Sequence, residues 1–399
     1  MTKTVLESRH DRGRAHRRPV TRPAHQPCRG SPRQGRHLPA SLVECIMKTG
    51  RSMQSLALEL DRQQRAKKDL VLSSSLLRHQ TNERGETWLL IPEATGEQRY
   101  GVTALACRQL AEKLHIPFPY FERMRATQPA LLDCNVNTWL QGDERRLLRT
   151  LDGQVRAVLS DRYRRLDNYD LAHYVLPMLQ QLPGVQFLSV ELTATRLYLK
   201  CVTPQREMEV APGDIVQAGV VITNSEVGHG SLTVQPLLYR LLCSNGLIAV
   251  DRTLRKTHLG RITAQDEVGV TVFQDDTLRA DDRAFFLKVR DVVQDAVSEL
   301  TFRQLAQRLQ RTRGIPLLGN PVKSVDVLGQ RYHLNEDECS GVLRYLIEGG
   351  ELSGYGLVNA VTHYSQALDD YDRATEFEAL GGKLIELPAQ EWRQLAEAA

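Results

Sequence analysis

Arg196, Tyr198 and Lys200 alternate with Leu197, Leu199 and Cys201. A strand sends successive side chains to opposite faces, so this spacing sets two cations and a phenol on one side of a sheet. A second basic cluster, Arg162, Tyr163, Arg164 and Arg165, follows a run of strand character. Cationic side chains neutralise phosphates and a tyrosine ring stacks on an unpaired base, the means by which single-stranded nucleic acid is bound. A solvated face carries the same residues, and for either cluster alone that plainer reading competes.

Between these and the C-terminus lies Asn224, Ser225, Glu226, Val227, Gly228, His229, Gly230 and Ser231. The glycines let backbone approach a neighbour closely, while Glu226, His229 and Ser231 are weak candidates for acid–base or nucleophilic catalysis. A hydrolase would also need an oxyanion hole and a base beside Ser231, and a metal would need more ligands. Neither is visible locally, so a hydrogen-bonded turn between strands is the competing reading. Asn359 and His363, one helical turn apart with Thr362 beside them, read as a polar network within an apolar helix. Asp369, Asp370 and Asp372 follow a helix end, where carboxylates are commonly just solvated. No metal and no cofactor is expected.

The elements that must position these groups follow from periodicity. A helix is expected through Leu56–Leu70 and a strand over Thr87–Ile91, ended by Pro92. Thr103 caps a helix carrying Leu105, Leu110, Ala111 and Leu114, and a short helix spans Tyr120–Arg125. This pair resembles a helix-turn-helix, but Phe118, Pro119, Tyr120 and Phe121 offer few donors to base edges, which favours a packed hairpin. Strands follow at Val155–Ser160, Val185–Leu192, Arg196–Val202, Ile215–Thr223 and Leu232–Cys243, with a helix at Asn168–Gln181 and a turn at Asn245-Gly246. Beyond Gln274 the apolar steps are helical, with capping boxes at Thr301/Gln304 and Asn335/Glu338 and a last helix over Leu357–Leu368. The fold class expected is α+β: a central, mostly antiparallel sheet with helices, an N-terminal helical hairpin and a C-terminal helical region. The segments expected are 1–50, 51–150, 151–275 and 276–399.

Of 399 residues, 41% are hydrophobic and 25% charged, ordinary for a globular protein. The net charge of +4 hides an asymmetry. Residues 1–40 hold ten basic and two acidic side chains, leaving 42 basic against 46 acidic on the rest, so a polyanion must find a local patch on that body. The seven scattered cysteines form no zinc spacing or disulfide framework and suit a reducing cytoplasm. The leader lacks the apolar core of a secretory signal, and Pro19, Pro23, Pro27, Pro32 and Pro39 disfavour an amphipathic targeting helix. It reads as disordered, either a nucleic-acid arm or sequence upstream of a start at Met47 or Met53.

Several segments together resemble the phage/plasmid-like protein family, a domain of unknown function carried on mobile elements. They are Gly101-Val102-Thr103 with Ile116-Pro117, Ser160–Asn168, and Asn224-Ser225-Glu226 with Gly228, Gly230 and Ser231. The others are Arg240 with Cys243-Ser244-Asn245-Gly246, and Gly356–Thr362 with Asn359 and Thr362. The resemblance covers about residues 70–385 and implies a place in phage, plasmid or integrative-element biology. It carries no catalytic residue. The function expected is binding of nucleic acid, single-stranded DNA foremost, through a basic sheet face of Arg162, Tyr163, Arg164, Arg165, Arg196, Tyr198 and Lys200. Homo-oligomerisation is a further possibility, a membrane partner is not expected, and the alternative is an enzyme acting on nucleotides or nucleic acid at the Asn224–Ser231 turn.

Overall fold

The computed structural model describes residues 50–163, 165–249 and 275–398, with side chains of the helix beginning at 275 described from 283 onward. The leader and Arg164 lie outside the described residues. Two sheets carry the fold, and their strands are built for different surroundings.

The first sheet has the order β1-β5-β6-β4-β3-β2, from β1 (Lys67–Ser73), β2 (Arg78–Thr81), β3 (Thr87–Glu93), β4 (Gly96–Val102), β5 (Arg145–Leu151) and β6 (Gln154–Ser160). Its neighbours are antiparallel except β4 and β6, which run parallel. Helices α2 (Ala104–Lys113), α3 (Phe118–Thr127) and α4 (Pro129–Trp139) cover one face, burying Leu89, Ile91, Leu110, Phe121, Leu132 and Val158 together. Phe121, at the start of the would-be recognition helix, is spent on this core, so α2 and α3 form a packed hairpin. Pro92 does not end β3, because it lies beyond the last β2 pair, where an edge tolerates proline.

The second sheet runs β11-β10-β9-β8-β7, antiparallel throughout, from β7 (Gln186–Leu192), β8 (Leu197–Ala211), β9 (Asp214–Asn224), β10 (Thr233–Arg240) and β11 (Asn245–Ile248). Helices α1 (Met53–Ala66), α5 (Asn168–Gln180) and α6 (Asp275–Ala296) pack on one face through Leu56, Leu171, Val175 and Val289 against Leu199 and Val220. On the other side stand α10 (Gly354–Tyr364) and α11 (Tyr371–Ile385). These join α7 (Glu299–Arg311), α8 (Pro321–Tyr332), α9 (Glu336–Gly349) and α12 (Ala389–Ala396) around Phe302, Leu328, Val358 and Phe377.

The fold class is α+β with the expected N-terminal helical pair and C-terminal helices. Four local expectations change. The first helix stops at Ala66, and Lys67–Ser73 enters the sheet as β1. Asn245-Gly246 is strand, and the turn is Leu241–Ser244, closed by Ser244 at φ +48°. Asn245 donates its side-chain amide to Thr362 Oγ1 at 2.6 Å, and a Cβ on Gly246 would stand 2.9 Å from Leu237 Cδ1, so both are fixed by packing rather than turn geometry. The α7 cap is Ser298, whose hydroxyl accepts from the Thr301 amide, three residues before the expected start. Two helices, α11 and α12, follow the expected last one. The Asn335/Glu338 capping box is present and opens α9, which ends at Gly350. Among the described residues no helix is long and apolar enough to cross a membrane.

Candidate nucleic-acid interface

The turn after β9 lies where the two sheets meet. Asn224 and Ser225 are buried, and Glu226 points inward, where its carboxylate accepts from Arg156 and from the Asn168 amide at 2.5 Å. That amide belongs to the first turn of α5, an orientation that favours an anion. Val227 fills a small core with Leu147, Ala157 and Leu159 of the first sheet. Gly228, at φ +72°, would bring a Cβ 2.6 Å from Leu159 Cδ2, so only glycine fits this approach.

Beneath the turn is a buried ionic network. Arg149 of β5 is fully buried. It donates to Asp69 of β1 at 3.1 Å, to the Glu226 carbonyl at 3.0 Å and to Asp167, which Lys67 also binds. Asn224 donates to the Leu166 carbonyl at 3.0 Å and to Asn168 Oδ1 at 2.8 Å. Burial pushes the Asp167 carboxyl up, but Arg149 and Lys67 outweigh it and hold it below the ordinary aspartate range. A group depressed on folding stabilises above its unfolded value, near 3.9, and that stability is lost as pH falls through the folded value. Urea unfolding between pH 7 and pH 2.5 should therefore show a fall in stability below about pH 4 that shrinks in Asp167→Asn. An unchanged slope in the variant would contradict the assignment.

On the solvent side, the Tyr163 hydroxyl donates to the Ser225 carbonyl at 3.0 Å, seating the 160–167 loop on the turn. Arg196 Nε donates to the His229 carbonyl of the same turn at 3.2 Å. Arg162, Arg165 and His229 are exposed and Arg196 is half-buried; among the described residues Arg165 has a single 3.6 Å contact, to Asp69. Tyr169 adds an exposed ring at the first turn of α5. Tyr163 and Arg196 thus both hold the glycine-rich turn, and Arg162 and Arg165 are exposed on the loop that Tyr163 anchors; the turn and this loop form the rim.

The family model described as a domain of unknown function, DUF932, matches residues 156–374, more than half of the chain. The chain belongs to the DUF932 family. The DUF932 span begins in β6 and ends in α11, so it holds the turn, the 160–168 loop and the second motif cluster. No curated protein and no solved structure matches the chain.

That second cluster lies apart from the rim. Arg240 donates to Asp214 at 2.6 Å and to Cys243 Sγ at 3.4 Å, Tyr355 also binds Asp214, and Asn245 is held by Thr362. Asn359, on the same helix as Tyr355, follows it by one turn. Burial and the neighbouring Asp214 push the Tyr355 phenol upward.

Two predicted members of the basic face are corrected. Tyr198 is 1% and Lys200 2% exposed, and both point into the interior. Lys200 Nζ donates to Glu378 at 2.6 Å and Thr375 at 3.1 Å, under the ring of Tyr371. Alternation puts Tyr198 and Lys200 on one face of β8, but α11 covers that face, so it is interior rather than solvated. The catalytic candidates also separate: Glu226 is buried in the network, whereas His229 and Ser231 are exposed. Among the described residues no group of acidic, histidine or cysteine side chains is arranged to hold a metal. Asp370 caps α11 and Asp372 accepts from Thr193 and Thr195. Sequence reasoning missed Asp69, Arg149, Asp214 and Glu378. For Arg149 the signal was present, a lone cation among the apolar residues of Leu147–Leu151.

Proposed function

We propose that this DUF932 protein binds nucleic acid, single-stranded DNA foremost, at the rim formed by Arg162, Arg165, Arg196 and the Gly228–Gly230 backbone. Its setting is the phage and plasmid biology that the sequence motifs resemble. The observation that carries the reading is that Arg196 and Tyr163 are hydrogen-bonded to the same glycine-rich turn, at the His229 and Ser225 carbonyls. Cations there are held beside Gly228 and Gly230, which carry no side chains to obstruct a phosphate, and Tyr169 supplies an exposed ring at the edge. The acidic balance of the body makes such a local patch necessary. It also implies binding that weakens steeply with salt.

Fluorescence anisotropy of a labelled single strand against residues 47–399 tests this across a salt series. The Arg162→Ala/Arg165→Ala/Arg196→Ala variant is expected to bind at least about tenfold more weakly and to lower the slope of log affinity against log salt by about two, near 0.7 per lost phosphate contact. No affinity at low salt, or affinity and slope unchanged in the variant, would retire the proposal. Glu226 and His229 do not converge, so no observation favours catalysis at this turn.

A further inference from the structure

Far along the chain from the rim, the end of α7 and the α11–α12 junction enclose an open cleft of about 550 Å³, within the range of small-molecule sites. Its accessible apolar surface comes from Ile315, Leu387 and Ala389, while Ile385 and Trp392 line it from the buried C-terminal core. Arg308 and Arg311, three residues apart on α7, supply the charge. Glu386 holds Arg308 at 3.2 Å. Arg311 is exposed and has no ion pair or side-chain hydrogen bond among the described residues. The lining therefore carries two guanidinium groups against one carboxylate.

Each simpler occupant fails on one of these counts. An inorganic anion would meet Arg311 but leave the apolar wall facing water. A neutral hydrocarbon would cover the wall and desolvate an exposed guanidinium without replacing its hydrogen bonds, at a cost. A cation would meet net repulsion. A flat ring bearing one anionic group satisfies both parts, since guanidinium binds such anions through two parallel hydrogen bonds and apolar side chains take the ring. We propose that this cleft binds a small aromatic anion, the ring on Ile315, Leu387 and Ala389 and the anionic group on Arg311. Nucleotides and aromatic carboxylic acids both have that chemistry.

The probe is 8-anilinonaphthalene-1-sulfonate, titrated into the full chain and followed by its fluorescence, with adenosine monophosphate and indole-3-acetate as competitors. Saturable one-to-one binding is expected, about tenfold weaker in Arg311→Ala, an exposed position whose loss leaves the core intact. Ala389→Trp, which fills the cleft from α12, should abolish it. Displacement by the nucleotide or by the acid supports the proposal and assigns the source. Absence of saturable binding, either variant binding like the parent, or displacement by neither competitor overturns it.

Discussion

Replacing Arg149 by methionine is expected to lower the unfolding free energy by about 3–5 kcal/mol, the cost typical of breaking a buried ionic group from one side. The guanidinium is the common partner of Asp69, Asp167 and the Glu226 carbonyl. Methionine fills much of the volume, so the loss measures stranded charge more than a cavity. Lys67 still reaches Asp167, but Asp69 would keep only the distant contact from Arg165. Urea denaturation at pH 7 decides it. Arg196→Ala, at a half-buried site with only weak carbonyl and hydroxyl contacts, should cost less than about 1 kcal/mol in the same assay. A loss below about 1 kcal/mol for Arg149→Met would mean that the junction is not held by this network.

The second large effect belongs to Lys200 and Glu378, whose side chains are 3% and 2% exposed. Burial pulls the Lys200 ammonium down, but Glu378 and Tyr371 outweigh it and keep the group charged. Lys200→Met would leave the Glu378 carboxylate beneath Gly246, whose Cβ position lies 3.6 Å from it, with no cation. A loss of about 3–5 kcal/mol is expected for this variant, and a comparable one for Glu378→Leu. The double variant should recover most of either loss, because two apolar side chains leave no charge to solvate. Additive losses in the double variant, read from denaturation midpoints at constant slope, would show that packing rather than charge dominates there.

These two sites show what the sequence made legible and where reading it stopped. Elements with clear apolar periodicity or a capping box are legible in the sequence: β6, β7, β9 and β10, α5 from its apolar stripe, and α9 behind its capping box. The first sheet was largely invisible because β1, β2 and β5 are polar or basic in composition, and their place is set by partners up to about eighty residues away, as Asp69 opposite Arg149 illustrates. Alternation around Tyr198 identified a face but not its neighbour, since nothing local tells a solvated surface from one covered by a helix that begins at Tyr371. The motif residues Asn224–Ser231 lie at the end of β9 and in the turn that follows it. Their separation into a buried half, Asn224–Val227, and an exposed half, Gly228–Ser231, depends on the other sheet.

The passage from α1 to β1 without a linker ties the two halves in time as well as in space. Leu56 and Leu60 complete the core of the second sheet, while Lys67, one residue past the helix, already pairs in the first. The segment that leaves the ribosome early therefore cannot settle until strands made more than a hundred residues later are in place. Such distant closures slow folding. The same passage leaves a helix of the second sheet's core joined directly to the edge strand of the first.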